Sequence, residues 1–531
     1  MSTEQLLAYY INAAHASNQR HDYGTARQSA QLAVALAPAV PEAWYNLALA
    51  EAGLGRVQQA GTALEQARVH AQQSPDAQNT IGLIFMGLGD LVSAQICFER
   101  ALSLSPGHVM ARSNLGQLRQ HQGRLPEAEA LLRSALTYAP AMPQLAANLG
   151  SILHELGRYE EAEAILRDAL TIDPTLLQAW KNLAVVLTDL KKDRDAMECY
   201  AQLLKLNPAN AEAHWGLALL QIKAGDYAPG WRNFEHRWRV EALQLQPIQT
   251  STPQWNGQQM QGTLLLWGEQ GIGDQILFGS ILPQALSYAD RTVVTLDRRL
   301  IPLFQRSMPG LEFMDLAHVR AQLKFDAQLP LGSLPIHFRR SADDFQATCH
   351  PYLLADQDRA QALRHKIERP GKLVCGISWH SSRKKLGTHK SIRLRQLVSA
   401  LGPAQHHFVT LQYGDTKAEC QALAESEGIE VQSLENVDCF NDIDGLAALI
   451  EACDVVVTVS NSTAHLAGAL GKKTLLLLPW SEGRLWYWAN HDGSNPWYPS
   501  IEMFAQRAMG DWSQPLQAAE KRLRKMRPPQ G

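Results

Sequence analysis

The stretch "LLLWGEQGIGDQILFGSILPQAL", Leu264 to Leu286, decides how the second half of the chain folds. An apolar run, Leu264 to Trp267, leads into a glycine-rich bend and then into apolar residues at helical spacing. Strand, turn and helix in that order open an α/β domain. The bend, Gly268-Glu269-Gln270-Gly271-Ile272-Gly273-Asp274, has neither the Gly-Lys-Ser/Thr of a P-loop nor the GxGxxG of dinucleotide binders. A helix start favours an anion. Asp274 already supplies one, and a phosphate beside it would be repelled. Asp274 therefore reads as the N-cap of a helix over 274–289, as a carboxylate displayed at a cleft and able to take a proton, or as both.

The alternation continues downstream. Strands are expected at 263–267, 291–296, 372–379, 407–412, 453–459 and 474–478, and helices at 274–289, 394–401, 415–426, 444–452 and 463–470. Continuous apolar strands with crossover helices mean parallel sheets covered on both faces. A break near 355–371 divides the region into two Rossmann-like halves, 263–365 and 366–531. Ligands of such folds lie beyond the carboxyl ends of the strands. The cleft is therefore expected to be lined by 268–275, 379–392, 413–416, 460–465 and 479–488.

The second half has its own candidate seat. After "DVVVTV" come Ser460-Asn461-Ser462-Thr463-Ala464-His465, four polar uncharged residues at a helix start. Hydroxyls and free amides there can meet a diphosphate with no carboxylate to oppose it, or form a plain Ser/Asn cap. His465 is placed either to donate to a phosphate or to cap a strand. "NDIDG" (441–445) offers an Asp-x-Asp, but it directly precedes the helix "GLAALIEA", so capping is the favoured reading and no metal is expected. The run "SSRKKLGTHK" (381–390) reads as a flap over the diphosphate or as a solvated loop. The aromatic stretch 484–500 reads as a stacking surface for base or sugar, or as packing between the halves.

Upstream, the first half repeats every 34 residues, with segments starting near 7, 41, 75, 109, 143, 177 and 211. Alanine recurs at Ala26, Ala60, Ala94, Ala128, Ala162 and Ala196, and again at Ala33, Ala67, Ala101, Ala135 and Ala169. Glycine recurs at Gly55, Gly89, Gly123 and Gly157, and proline at Pro38, Pro106, Pro140, Pro174 and Pro208. These are the marks of stacked helix–turn–helix units: small residues for close approach, glycine for the turn, proline as a stop. The array is expected over 1–240, with the Gln- and Pro-rich stretch 241–262 as linker. Asparagine also recurs, at Asn12, Asn46, Asn114, Asn148 and Asn182, although it is a mediocre helix former. Either each amide bonds a neighbouring turn and orders the stack, or the column lines a groove and holds an extended peptide backbone.

Composition excludes other classes. A net charge of −3 over 531 residues does not point to nucleic acid or a membrane surface. Seven cysteines without CxxC or framework spacing fit a reducing cytoplasm. The first residues lack the basic and apolar regions of a signal peptide, and no run reaches the roughly 18 apolar residues of a membrane span.

The repeat array resembles the tetratricopeptide repeat (TPR), and in layout that of O-GlcNAc transferases, where asparagines line the superhelix and hold the protein substrate. "WGEQGIGDQILFGSILP" (267–283), "GISWHSSRKKLGTHKSI" (376–392) and "VSNSTAHLAGALGKKTLLLLP" (459–479) resemble the three blocks of heptosyltransferase-like GT-B glycosyltransferases. Joined to repeats, the chain is similar to bacterial protein glycosyltransferases, including those that modify flagellin. The resemblance implies an inverting, metal-independent, cytoplasmic enzyme that uses a nucleotide-sugar as co-substrate and needs no cofactor. It makes Asp274 the base, with Gly271 and Gly273 beside it on the acceptor side. Lys390 would neutralise donor phosphate, and Trp379, Ser460, Asn461, Ser462, Thr463 and His465 would complete the donor site. Asn46, Asn114, Asn148 and Asn182 would bind the protein acceptor, with flagellin suspected. Ser460 stands where heptosyltransferases often carry an aspartate that contacts the sugar, so heptose itself is not implied. The rival readings are a non-catalytic TPR scaffold with a nucleotide-binding docking module, and an NAD-linked enzyme using Asp297 as the ribose-binding acid.

Overall fold

A computed structural model describes residues 2–315, 324–346, 351–381, 390–480, 485–489 and 495–526. The chain forms two compact units, Met1–Asn207 and Pro208–Gly531. No described helix is long and apolar enough to cross a membrane.

The first unit is a helical solenoid built from helix pairs, from Thr3–Gln19 with Tyr23–Leu36 to Leu177–Asp189 with Asp193–Leu206. Both alanine columns are fully buried where paired helices touch. Each second helix ends two residues before the recurring proline where one is present, as Leu36 before Pro38 and Leu104 before Pro106. The first helix of the second repeat ends in a left-handed glycine. Gly55 sits at φ 76°, its amide bonds to the Ala52 carbonyl, and the Arg56 amide reaches back to the Glu51 carbonyl. Gly89, Gly123 and Gly157 repeat the positive φ. In the first and sixth repeats His21 and Lys191 occupy the same position at φ 60°, accepting the roughly 1–2 kcal/mol strain of a left-handed residue with a Cβ.

The asparagine column runs between successive repeats. The Asn114 amide donates to Asn79 Oδ1 (2.8 Å), Asn148 to Ser113 Oγ (3.3 Å) and Asn182 to the Ala147 carbonyl (3.0 Å). Asn46 donates to the Glu42 carbonyl within its own helix, and its own carbonyl accepts from Asn18. The expectation that Asn46 and Asn114 hold a peptide is corrected by burial: both are at least 96 % enclosed, and their amides are spent within the stack. Asn148 and Asn182 remain partly exposed.

The second unit begins one repeat earlier than the boundary expected at 240. Its first elements are the seventh helix pair, Ala211–Lys223 and Tyr227–Phe234. Tyr227, Trp231 and Phe234 are buried in the same core as the α/β residues, which is why this pair belongs here. The Trp231 indole donates to the Arg339 carbonyl (2.7 Å) and meets Trp486 and Trp497 edge-on.

Among the described residues ten strands follow: β1 (Thr263–Trp267), β2 (Arg291–Leu296), β3 (Glu312–Asp315), β4 (Ala327–Pro330), β5 (Leu373–Ser378), β6 (His406–Thr410), β7 (Val431–Gln432), β8 (Val455–Val459), β9 (Thr474–Leu478) and β10 (Ile501–Ala505). They form two parallel sheets, β3-β2-β1-β4 and β10-β9-β8-β5-β6-β7. Alternate residues of the central strands enter different cores: Val374 and Val456 on one face, Cys375 and Val457 on the other. Both faces are covered, so the strands read as unbroken apolar runs. In each sheet the strand order reverses once, between β1 and β4 and between β5 and β8. Those two points are where such sheets open a crevice at their carboxyl ends.

Three local expectations shift. The helix read as 274–289 starts at Ile272 and ends at Gly279, and a four-residue helical turn, Leu282–Ala285, follows the break. The break near 355–371 contains a helix, Gln357–Ile367. The aromatics Trp486, Trp488, Trp497 and Tyr498 are buried, so in the described part of 484–500 they pack the core.

Candidate functional site

The loops after β1, β5 and β8 converge on one cavity of about 300 Å³. On one side are Gly271, Ile272, Gly273 and Asp274; on the other Ser460, Asn461, Ser462 and His465; Ser381 and Lys390 complete the wall. Residues far apart in sequence meet there because each follows a strand at a reversal point of its sheet.

Asp274 is the third residue of helix Ile272–Gly279, whose N-cap is Gly271. No side chain caps this helix start, so Asp274 lies in the first turn, partly exposed to the cavity, and is not the cap. The loop before it is pinned from behind. Glu269 accepts from the guanidinium of Arg237 (3.1 Å) and from the Gly332 amide (3.1 Å). Arg237 is fully buried and also bonds Glu235 and Ser333. Burial pushes the Glu269 carboxyl up, and the Arg237 charge opposes that. Gln275 ties the same loop to β2: its side chain donates to the Gln270 carbonyl and accepts from the Asp297 amide.

The facing helix, Ser462–Ala469, is capped by Asn461, whose Oδ1 accepts from the Ala464 amide. The Asn461 amide donates to Ser378 Oγ (2.7 Å) and to the His380 carbonyl, so this residue shapes the loop as well as lining the cavity. Ser460 Oγ accepts from the Trp488 indole (2.9 Å). Lys390 is 2 % exposed and reaches the cavity wall. His465 is buried, with Nδ1 3.0 Å from the Tyr498 hydroxyl. Burial, and then the Lys390 charge, push His465 down to about 3, so its ring is neutral at ordinary pH. The two helices approach closely at this point. A Cβ on Gly273 would lie 3.0 Å from His465 Cδ2, and one on Gly468 would strike the Tyr498 ring.

Two expected site residues are not in the cavity. Thr463 is fully buried, because this position of the helix faces the protein interior and not the loop mouth. Trp379 is buried in the core on the far face of the second sheet, its indole donating to Glu419 (3.0 Å), and it borders a separate depression. The basic run 381–390 lies outside the described residues over 382–389.

Arg299 and Phe440 line the cavity from outside the expected stretches, and Tyr413 lines it from within the expected 413–416. Arg299 follows β2, so the strand-end rule could have found it. Asp297 holds Arg299 through two bonds of 2.9 Å, and the guanidinium lies over the Phe440 ring. Asp297 is thus spent on an arginine, and its carboxyl sits below the usual range for that reason, which removes the feature that favoured the NAD-linked rival. Asp442 caps helix Ile443–Ala452 and pairs with Arg359, while Asp444 pairs with Arg306. The Asp-x-Asp carboxylates are therefore held by cations from the protein itself.

Residues 12–77 and 79–143 match one family described as tetratricopeptide repeat, and 121–185 and 153–206 match a second of the same description. Protein FlbA of Caulobacter vibrioides is 29 % identical over 321 residues, which is 56 % of this chain and 52 % of that protein. The chain thus spans about half the length of the curated relative it matches. Similar solved structures include Pseudomonas aeruginosa PilF, with 18 % identity, 40 % of this chain, 97 % of that one and a TM-score of 0.34. The Cut9–Hcn1 tetramer of the APC/C gives 19 %, 40 %, 42 % and 0.34. The N-terminal region is a helical TPR solenoid, a protein-interaction scaffold, joined to an α/β unit with parallel sheets.

Proposed function

We propose that the chain is an inverting protein glycosyltransferase of the GT-B kind. It moves a sugar from a nucleotide-sugar to hydroxyl side chains of a protein recruited by the repeats, and flagellin is the acceptor that the sequence resemblance suggests. One observation carries this reading. A single cavity gathers a carboxylate in the first turn of one helix, and opposite it an acid-free polar helix start with a nearly buried lysine.

Asp274 would accept the proton of the acceptor hydroxyl as its oxygen attacks the anomeric carbon. The departing diphosphate would be stabilised by Lys390 and by the Ser460–Ser462 hydroxyls and amides at the opposite helix start. The carboxylate disfavours phosphate on its own side, so the two helix starts sort the substrates by charge. Asp442 and Asp444 are already paired with arginines, which supports a reaction run without a metal at that motif.

The test is incubation of the purified protein with sugar derivatives of uridine, guanosine and cytidine nucleotides, with release of the nucleotide followed by chromatography. Slow release that disappears in Asp274→Asn and Lys390→Ala is expected. Neither release nor nucleotide binding would leave the scaffold reading, with the α/β unit as a docking module.

A further inference from the structure

A chain of buried hydroxyls runs from the cavity into the core, and its direction can be read atom by atom. The Tyr352 hydroxyl meets the Ile276 carbonyl, and a carbonyl only accepts, so the Tyr352 proton is committed there. This carbonyl lies at the end of the acid-bearing helix, where the Ser280 amide turns to Leu277 instead. Tyr352 is also hydrogen-bonded to Tyr498. With its own proton used, Tyr352 must accept, so Tyr498 donates to it. The Tyr498 oxygen, 3.0 Å from His465 Nδ1, is then left as an acceptor. A bond there requires the proton on Nδ1. A neutral imidazole carries one proton, so Nε2 is bare. No described residue bonds Nε2, His465 lines the cavity, and a Cβ on Gly273, next to Asp274, would lie 3.4 Å from that nitrogen.

We propose that Tyr352 and Tyr498 lock His465 as the Nδ1–H tautomer, so that Nε2 faces the cleft as a hydrogen-bond acceptor for a substrate hydroxyl and not as a donor to phosphate. A bare nitrogen lone pair repels a phosphate oxygen and attracts a hydroxyl hydrogen. The placement rests on the glycosyltransferase reading. The hydroxyl belongs either to the transferred sugar or to the protein acceptor, and both present the same chemistry to Nε2.

The tautomer is tested without any activity. The full chain is labelled at histidine ring nitrogens, long-range proton–nitrogen spectra are recorded, and the His465 signals are identified by their loss in His465→Gln. The Nδ1–H pattern is expected. It should persist when inorganic pyrophosphate is added, and it should move toward Nε2–H in Tyr352→Phe, which does not touch the imidazole but frees the Tyr498 proton. An Nε2–H or doubly protonated ring, with or without pyrophosphate, overturns the proposal.

Substrate chemistry is tested by calorimetry with UDP against UDP-glucose and GDP against GDP-mannose, in the wild type, His465→Leu and Tyr352→Phe. Loss of sugar-nucleotide affinity by about tenfold, with the diphosphate unchanged, assigns the hydroxyl to the donor sugar. Unchanged binding with a tenfold or greater loss of transfer to protein assigns it to the acceptor. Weaker diphosphate binding, or no change in binding or transfer, overturns the proposal. If wild-type protein binds no nucleotide at all, the glycosyltransferase reading fails, while the spectra still decide the tautomer.

Discussion

His465 gives a signature in stability as well as in binding. Its folded-state value sits near 3, below the ordinary 6.5, mainly through burial. On acidification the unfolded chain takes the proton first. The stabilising difference is complete above pH 6.5 and is lost as pH falls from 6.5 toward 3. His236, His337 and His407 are shifted in the same direction, each mainly by burial, and add to this acid limb. His465→Gln should make the limb shallower by up to one proton, about 1.4 kcal/mol per pH unit, as measured by urea unfolding between pH 6.5 and 4. An unchanged slope would mean that the ring is open to solvent. Asp274 predicts the opposite separation of stability from function. It is not the helix cap, and Asp274→Asn keeps the side chain's shape, so the thermal midpoint should stay nearly unchanged. Transfer should fall roughly 10²–10⁴-fold, the usual share of a general base, measured by mass spectrometry of the acceptor. Near-normal transfer by a folded variant would remove Asp274 from the chemistry.

Among the elements, the repeat helices pose the sharpest question. Asn46 and Asn114 are enclosed between repeats, whereas Asn148 and Asn182 are half-buried with amides directed at the preceding repeat. Asn114→Ala should therefore cost stability, about 1–3 kcal/mol, because Asn79 loses its buried partner. Asn148→Ala with Asn182→Ala should cost less stability and weaken capture of the protein acceptor, read by pull-down beside the thermal melt. Equal stability loss in both cases with unchanged capture would make the whole column structural. Sequence could show that asparagine recurred but not which way it pointed, since a 34-residue period fixes the register and not the rotamer. The same limit applies elsewhere. The central strands β1, β2, β5, β8 and β9 were legible because both of their faces are apolar. The strands β3, β4, β7 and β10 were not, being two to five residues long and, for β3 and β10, partly exposed. Gly271 to Asp274, Ser460 to Ser462 and His465 were readable as cleft residues because they follow strand ends. Trp379 also follows a strand end, but its indole turns to Glu419, which only packing decides.

At the scale of the whole molecule, the periodicity of the sequence and the packing of the chain divide it at different places. The 34-residue marks continue to Gly230, which suggested a boundary at 240, yet the compact unit begins at Pro208. The difference can be tested by cutting. A fragment over 208–531 keeps Trp231 and Phe234 in the core, and Arg237 beside Glu269. A fragment over 241–531 removes all three. Losing a large buried aromatic costs about 3–5 kcal/mol. Leaving the buried Glu269 without its cation costs a further 3–5 kcal/mol or so. Together these equal much of the roughly 5–15 kcal/mol that holds a typical domain. The longer fragment should unfold cooperatively and retain nucleotide release from sugar-nucleotides, but lose modification of protein, because the solenoid is gone. The shorter fragment should lack a cooperative transition in calorimetry. If 241–531 melts cooperatively at the temperature of 208–531, the seventh helix pair is only the last turn of the solenoid, and the Arg237–Glu269 pair does not set the structure of the Asp274 loop.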